Sequence, residues 1–221
     1  MNHHSRISVI FDLDGTITCN DTYLFFLLTF LRHNPYRLIN CWSLPFAFVY
    51  FKLRLRDNTW LKKKFLGAIA GGTTKTKIKA FVKQFVKTIV EQKLRKNALQ
   101  EIKTHKESGH ILILATASFD FYVEAIGNQL GFDEIICTNS VWDNNNKLQG
   151  DISGDNCYGI SKLHKVIHYF VKNEDVSYTI AYTDHHSDLP LMDWVDKAIA
   201  VNPTSKLREL AKQKGYEIKI W

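Results

Sequence analysis

Ile7 to Thr16 reads ISVIFDLDGT, an apolar run that ends abruptly in Asp12 and Asp14, followed by Gly15 and Thr16. A short apolar segment halted by acids and a glycine has the grammar of a buried strand handing over to a surface loop. Placed on such a loop, the two carboxylates project together at the carboxyl edge of a sheet, where open α/β proteins put their chemistry. Like charges held that close require a cation or a shared proton. An acidic turn without function would show the same ten residues, so the sharper reading depends on partners further along the chain.

The next all-apolar run that suits a central parallel strand is Ile111 to Ala115, ILILA, about one hundred residues later. That distance is too long for a simple crossover and implies a helical insertion, covering about residues 19 to 90. Its first part is very apolar: YLFFLLTFL at Tyr23 to Leu31 and LINCWSLPFAFVYF at Leu38 to Phe51, separated by Arg32, His33, Asn34, Pro35 and Arg37. Neither run reaches the roughly 18 to 20 residues of a membrane span, so a helical hairpin is expected, with its aromatic surface either buried or lying in a bilayer interface. Two further helices are expected over Trp60 to Ile69 and Ile78 to Leu99, parted by Gly71 and Gly72.

Composition narrows the class. The chain has 221 residues, 45% of them apolar and 23% charged, which fits a globular protein able to bury a full core. Cys19, Cys41, Cys137 and Cys157 form neither a CxxC pair nor a dense framework, so a reducing compartment is expected. The apolar run before Asp12 is too short for a secretory signal, and His3 and His4 read as solvated tail. A cytoplasmic protein, or one held peripherally on the inner face of a membrane, follows. From Lys52 to Lys96 there are fourteen Lys or Arg against Asp57 and Glu91, an excess of +12 in a chain of net +7, leaving −5 elsewhere. Such a block could line solvated helix faces, an anionic membrane along residues 23–96, or nucleic acid. The absence of a recognisable nucleic-acid motif, with little aromatic interleaving of the kind that stacking platforms use, argues against the last.

Three more loops fall at strand ends. ILILA runs into Thr116, Ala117 and Ser118 and then into a helix, FDFYVEAIGNQL, where hydroxyls and orphan amides make a phosphate seat or, equally, an ordinary cap. GFDEIICT gives a short strand near Ile135 and Ile136, and the Asn/Asp/Gly-rich stretch from Val141 to Tyr158 a turn or β-hairpin. Lys162 opens an amphipathic helix, ISKLHKVIHYF, and supplies the cation that two acids and a phosphate seat lack. Tyr178 to Tyr182 repeats the opening pattern, strand then Thr183, Asp184 and Asp188, and Asp184 completes a hard-oxygen set for Mg²⁺ with Asp12 and Asp14. His185 and His186 lack the spaced partners that zinc demands. Ala198 to Val201 reads as a last strand, followed by a short basic helix and an edge strand. No GxxxxGK[ST] or GxGxxG segment is present, which sets nucleotide-loop and dinucleotide chemistry aside.

DLDGT with Asp12 and Asp14, LATAS with Thr116, Lys162 in CYGISK, and TDHHSD with Asp184 and Asp188 resemble, in order, the four motifs of the haloacid dehalogenase superfamily of phosphohydrolases. The insertion between the first two motifs is similar to subfamily IB, the phosphoserine-phosphatase-like branch. Leu31, Arg32, Pro35, Leu44, Pro45, Gly71 and Phe81 look like the group within it that includes phosphatidylglycerophosphatase C. The resemblance implies an α/β fold, a Rossmann-like doubly wound parallel sheet formed by residues 1–18 and 91–221, with a helical C1-type cap at 19–90. It implies a Mg²⁺-dependent phosphomonoester hydrolase with Asp12 as nucleophile and Asp14 as general acid and base. Thr116, the Ala117 amide and Lys162 would hold phosphate oxygens; Asp12, the Asp14 carbonyl and Asp184 would hold the metal, and Asp188 would orient Lys162 or a metal-bound water. The partner is then a small phosphomonoester, a lipid phosphate met at a membrane surface or, for a non-catalytic binding module, a phosphate ligand; possession of both Asp12 and Asp14 argues against the module. The phosphoserine-phosphatase branch reads its substrate amine with a glutamate nine residues after the nucleophile, where this chain has the shorter Asp21. Thr183 stands where many relatives have glycine.

Overall fold

The computed structural model describes residues 6–172 and 176–221, so His3 and His4 lie outside the described residues. Strand β1 (Arg6–Phe11) is the centre of a sheet that also contains β2 (Ile111–Phe119), β3 (Glu134–Trp142), β4 (Leu148–Ser153), β5 (Val176–Thr183), β6 (Lys197–Val201) and β7 (Glu217–Lys219). Their order is β4-β3-β2-β1-β5-β6-β7, with β4 antiparallel to β3 and every other pairing parallel. This is the Rossmann-like α/β sheet that the resemblance implies.

The pleat sends alternate residues of β1 to opposite faces. Val9 and Phe11 join one apolar cluster and Ile10 the other. Helices α7 (Ile160–Lys172), α8 (Leu189–Trp194) and α9 (Ser205–Lys214) cover the Ile10 face, through Val166, Leu191, Met192, Leu207 and Ala211. The other face carries α5 (Lys96–Glu107) and α6 (Asp120–Leu130), and beyond them the inserted helices α1 (Thr22–His33), α2 (Leu44–Lys52), α3 (Asn58–Ala70) and α4 (Lys75–Gln92). Phe26 of α1 is fully buried among Phe81, Phe85 and Tyr122, ring centroids 5.1–5.6 Å away counting Phe121 as well. Burial of each such side chain contributes about 1.5–3 kcal/mol. Arg37, buried in the short 3₁₀ helix Pro35–Cys41, ties the insertion together through Ile69 O, Gly71 O and the Thr73 hydroxyl.

The helix expected over Ile78 to Leu99 is in fact two. Arg95 N donates to Ile17 O, Cys19 N donates to Lys93 O, and Thr18 pairs with Leu94, so the returning chain straightens to close a small bridge beside the outgoing one. A helical period cannot report that competing pairing. The hairpin in 141–158 is present as β3 and β4, but β3 is nine residues long, and β2 runs on to Phe119. Within the apolar hairpin, Phe26, Leu27 and Phe30 of α1 are buried, whereas α2 buries only Leu44 and Ala47.

Candidate active site

The ends of β1, β2 and β5 meet at one sheet edge, where the loops after β1 and β5 hold the expected acids and the end of β2 holds Thr116. After Phe11 the chain turns through a single i to i+5 turn, Leu13–Ile17, closed by Thr18 N on Leu13 O at 2.9 Å. Gly15 makes that turn with φ +79°, and a Cβ there would lie 2.2 Å from Asp184 Oδ2. The glycine therefore serves twice: it adopts a left-handed conformation and lets the Asp184 carboxylate lie against the Asp12–Asp14 loop.

Lys162, on the first turn of α7 and 3% exposed, reaches across to this edge. Its Nζ donates to Asp12 Oδ1 at 2.8 Å and to Asp188 Oδ2 at 2.6 Å, and the Thr183 hydroxyl donates to the same Asp188 oxygen at 2.8 Å. Threonine at 183 thus supplies a hydroxyl that glycine could not. Asp188 Oδ1 is buried with no hydrogen-bond partner. Asp14 is held separately: Thr22 N donates to Oδ1 and the Ser118 hydroxyl to Oδ2, both at 2.6 Å. Thr116 is buried, its hydroxyl accepting from Ser118 N at 3.1 Å. No residue between Ala115 and Phe119 is in register with β3, so Thr116 to Ser118 leave the ladder as they enter the site.

Burial dominates the electrostatics. It pushes the Asp12 carboxyl well above the usual value; Lys162 pulls it back, and Asp188, Asp184 and Asp14 push it up. Asp14 is raised by burial and then by Asp21, against the hydrogen bonds from Ser118 and Thr22. Asp184 rises to about 7 through burial and the nearby Asp188. Burial alone would lower the Lys162 ammonium, but Asp12 and Asp188 outweigh it and hold it above the ordinary lysine value. Four carboxylates thus share one edge with a single bridging ammonium, an excess of negative charge that calls for protons or a further cation.

Asp21 stands apart. It is exposed, caps α1 by accepting from Leu24 N at 2.7 Å, and lines a groove of about 350 Å³ whose other walls include Leu24, Phe25, Leu28 and Ile89. A larger cleft of about 510 Å³ lies at the opposite edge, by the starts of β6 and β7, and contains none of the acids above.

Two contributors escaped the sequence reading. Ser118 was visible as a hydroxyl beside Thr116, but its pairing with Asp14 was not. Lys62 was hidden in the basic run Lys62, Lys63, Lys64. It is buried on the same stripe of α3 as Leu66, Ile69 and Ala70, and that spacing is the signal that separates it from its exposed neighbours. Its ammonium donates to the Ala117 carbonyl and, at 3.0 Å, to Asn156 Oδ1, and lies 4.3 Å from the centre of the Phe119 ring. The insertion therefore sends a cation onto the peptide that joins Ala117 to Ser118.

Comparison with known proteins identifies the family. Residues 9–193 match the family model described as haloacid dehalogenase-like hydrolase. Phosphoserine phosphatase SerB1 of Mycobacterium tuberculosis is 23% identical over 219 residues, covering 96% of this chain and 70% of that protein. A protein of unknown function from Bordetella pertussis Tohama I superposes with a TM-score of 0.85 at 22% identity, over 97% of this chain and 98% of its own. A phosphoserine phosphatase solved as a phospho-aspartyl intermediate analogue gives 0.67 at 17% identity, over 98% and 93%. With a family model spanning residues 9–193, most of its length, the chain belongs to the haloacid dehalogenase-like hydrolases.

Proposed function

We propose that this hydrolase cleaves phosphate monoesters through a phosphorylated Asp12, with Mg²⁺ as its cofactor. The observation that carries the reading is the Lys162 ammonium bridging Asp12 and Asp188 beside an Asp14 held in a separate hydrogen-bonded socket. Two carboxylates in different environments suit different roles. Asp12 attacks phosphorus, the bond from phosphorus to the alcohol oxygen breaks, and Asp14, whose pKa burial has raised, gives that oxygen its proton. Asp14 then takes a proton from the water that attacks the aspartyl-phosphate, releasing inorganic phosphate and restoring both acids. Lys162, Thr116 and the Ala117 amide hold the oxygens of the transferring group, and Asp188 keeps Lys162 in place.

The donor set fits a hard divalent cation. Asp12, Asp184 and the Asp14 carbonyl would hold it, and the orphaned Asp188 Oδ1 suits a water bound to it. Among the described residues no three His, Cys, Asp or Glu side chains form a ready-made cage, so a main-chain oxygen, water and substrate would have to complete the shell. Bound Mg²⁺ would offset the repulsion between an anionic nucleophile and a phosphate dianion. Residues 19–90 act as the cap over a core of 1–18 and 91–221. Asp21, the family-position candidate for reading the substrate, faces a largely apolar groove, which favours an ester with an apolar part over a small zwitterion such as free phosphoserine. A lipid phosphate is therefore the second reading, favoured by that groove and by the exposed apolar side chains of α2. A phosphate-release screen over amino-acid, sugar, nucleotide and glycerophospholipid monoesters, with and without Mg²⁺, is expected to show turnover that EDTA abolishes. Turnover undiminished by EDTA would overturn the metal assignment, and no release from any ester would overturn the activity.

Lys62 adds a prediction. Burial lowers its ammonium from 10.5 to about 8, with Asp14 only partly offsetting it. Between those values the unfolded chain holds the proton and the folded chain does not, so folding stability rises from pH about 8 towards 10.5. Lys62→Met removes that rise, visible as a flattened difference between urea melts at pH 7.5 and pH 10. Loss of one charged hydrogen bond to the phosphate seat, about 1.5–3 kcal/mol, should also lower kcat at pH 7.5 by roughly tenfold to a hundredfold.

A further inference from the structure

We infer that the segment from Tyr36 to Leu55 is a docking face for the surface of an anionic phospholipid bilayer. A helix that is apolar on all sides normally has an apolar medium on all sides. Helix α2 does not: only its narrow Leu44–Ala47 stripe packs inward, leaving Phe46, Phe48, Val49 and Tyr50 in water. The flanking segments extend the surface with Ile39 (78% exposed), Trp42 (74%), Leu53 and Leu55. Monomeric soluble proteins seldom expose apolar surface on this scale without a partner for it.

The charges beside the patch identify that partner. From Thr22 to Arg56 the chain has no acidic residue, and Arg32, Lys52, Arg54 and Arg56 are exposed. Lys52 lies 5.3 Å from the Phe48 ring centre and Arg56 5.6 Å from that of Trp60, so cations are interleaved with the aromatic side chains. A second copy meeting this face through a two-fold axis would set cations against cations with no acid in the segment to pair them. An anionic lipid surface offers complementary charge and an apolar layer beneath, and Trp and Tyr are the residues that favour that boundary. Among the described residues no helix is long and apolar enough to cross a membrane, so the segment would lie on the bilayer, not through it.

This deepens the lipid-phosphate reading of the substrate, and it is tested without turnover. The full chain is floated with vesicles of phosphatidylcholine alone or mixed with phosphatidylglycerol, while phosphate release from a small soluble ester is followed in the same samples. Expected are recovery with the phosphatidylglycerol vesicles, weakening as salt rises, and at least a tenfold fall for Trp42→Ser with Phe46→Ser, with release from the soluble ester unchanged. Arg54→Glu with Arg56→Glu should give a similar loss. Failure to float with anionic vesicles overturns the proposal, whatever the esterase activity. So does a wild-type dimer in sedimentation equilibrium that the Trp42 and Phe46 substitutions convert to monomer without altering flotation, because the face would then belong to a second copy.

Discussion

Replacing Asp12 by asparagine should leave a folded chain that releases no phosphate. The amide has nearly the shape of the carboxylate, and its oxygen can still accept from Lys162 Nζ, which lies 2.8 Å from Asp12 Oδ1 in the native chain. What it lacks is a nucleophilic oxygen. Removal of a covalent nucleophile costs turnover on the order of 10⁴-fold or more. Stability should not fall with activity, because burial already pushes the native carboxyl well above its usual value, and an uncharged amide escapes that penalty. Steady-state phosphate release and a thermal melt on the same preparation separate the two effects. Wild-type turnover with the variant would remove Asp12 from the chemistry, whereas a chain that no longer folds would show the charge to be structural.

The legibility of this site followed from its distribution in sequence. Asp12, Asp184 and Asp188 sit next to apolar runs that read as strands and Lys162 at the head of an amphipathic helix, so period and punctuation suggest one edge and the resemblance to a known family supplies the roles. In a parallel sheet such strand ends point the same way, which brings the loops after β1 and β5 together; Lys162 follows the antiparallel β4 and reaches Asp12 and Asp188 from the first turn of α7. The partners of Asp14 were less visible because they come from contacts between elements: Thr22 N opens the insertion, and Ser118 lies just before α6.

The insertion was harder to read for a different reason. Helical period located its helices, but not which apolar side chains face inward. Phe26 and Phe30 are buried, while Leu24 and Leu28 of the same helix are exposed, and nothing in YLFFLLTFL distinguishes a core stripe from a surface one when every position but one is apolar. The same ambiguity worked in reverse for Lys62, where a run of three lysines masked the one that points into the protein. Local break signals also failed at Lys93 to Arg95: the sequence there has neither proline nor glycine, and the helix stops because pairing with Thr18 and Ile17 wins.

Lys162→Met should affect both stability and turnover, in a manner that depends on pH. Nζ is the cation shared by Asp12 Oδ1 and Asp188 Oδ2, and all three side chains are nearly inaccessible. Breaking a buried pair from one side leaves uncompensated charge, at a cost of about 3–5 kcal/mol. For a chain of this length that corresponds to a fall in Tm on the order of 10 °C. Without the lysine, the pull that lowers Asp12 is gone, while burial, Asp188, Asp184 and Asp14 still raise it. A carboxyl whose folded pKa lies above its unfolded value binds its proton more readily when folded, so stability increases as pH falls through that folded value. The gap between variant and wild type should therefore be widest near pH 8 and narrow towards pH 5, with EDTA present so that no metal substitutes for the missing charge. Turnover should fall at least a hundredfold, since a donor to the transferring phosphate is lost and the nucleophile is more often protonated. Parallel melts of the two proteins across pH 5–8 distinguish this from a merely structural lysine. A penalty that stayed constant through that range would mean that Asp12 does not depend on Lys162 for its charge, and the shared cation could not be what activates the nucleophile.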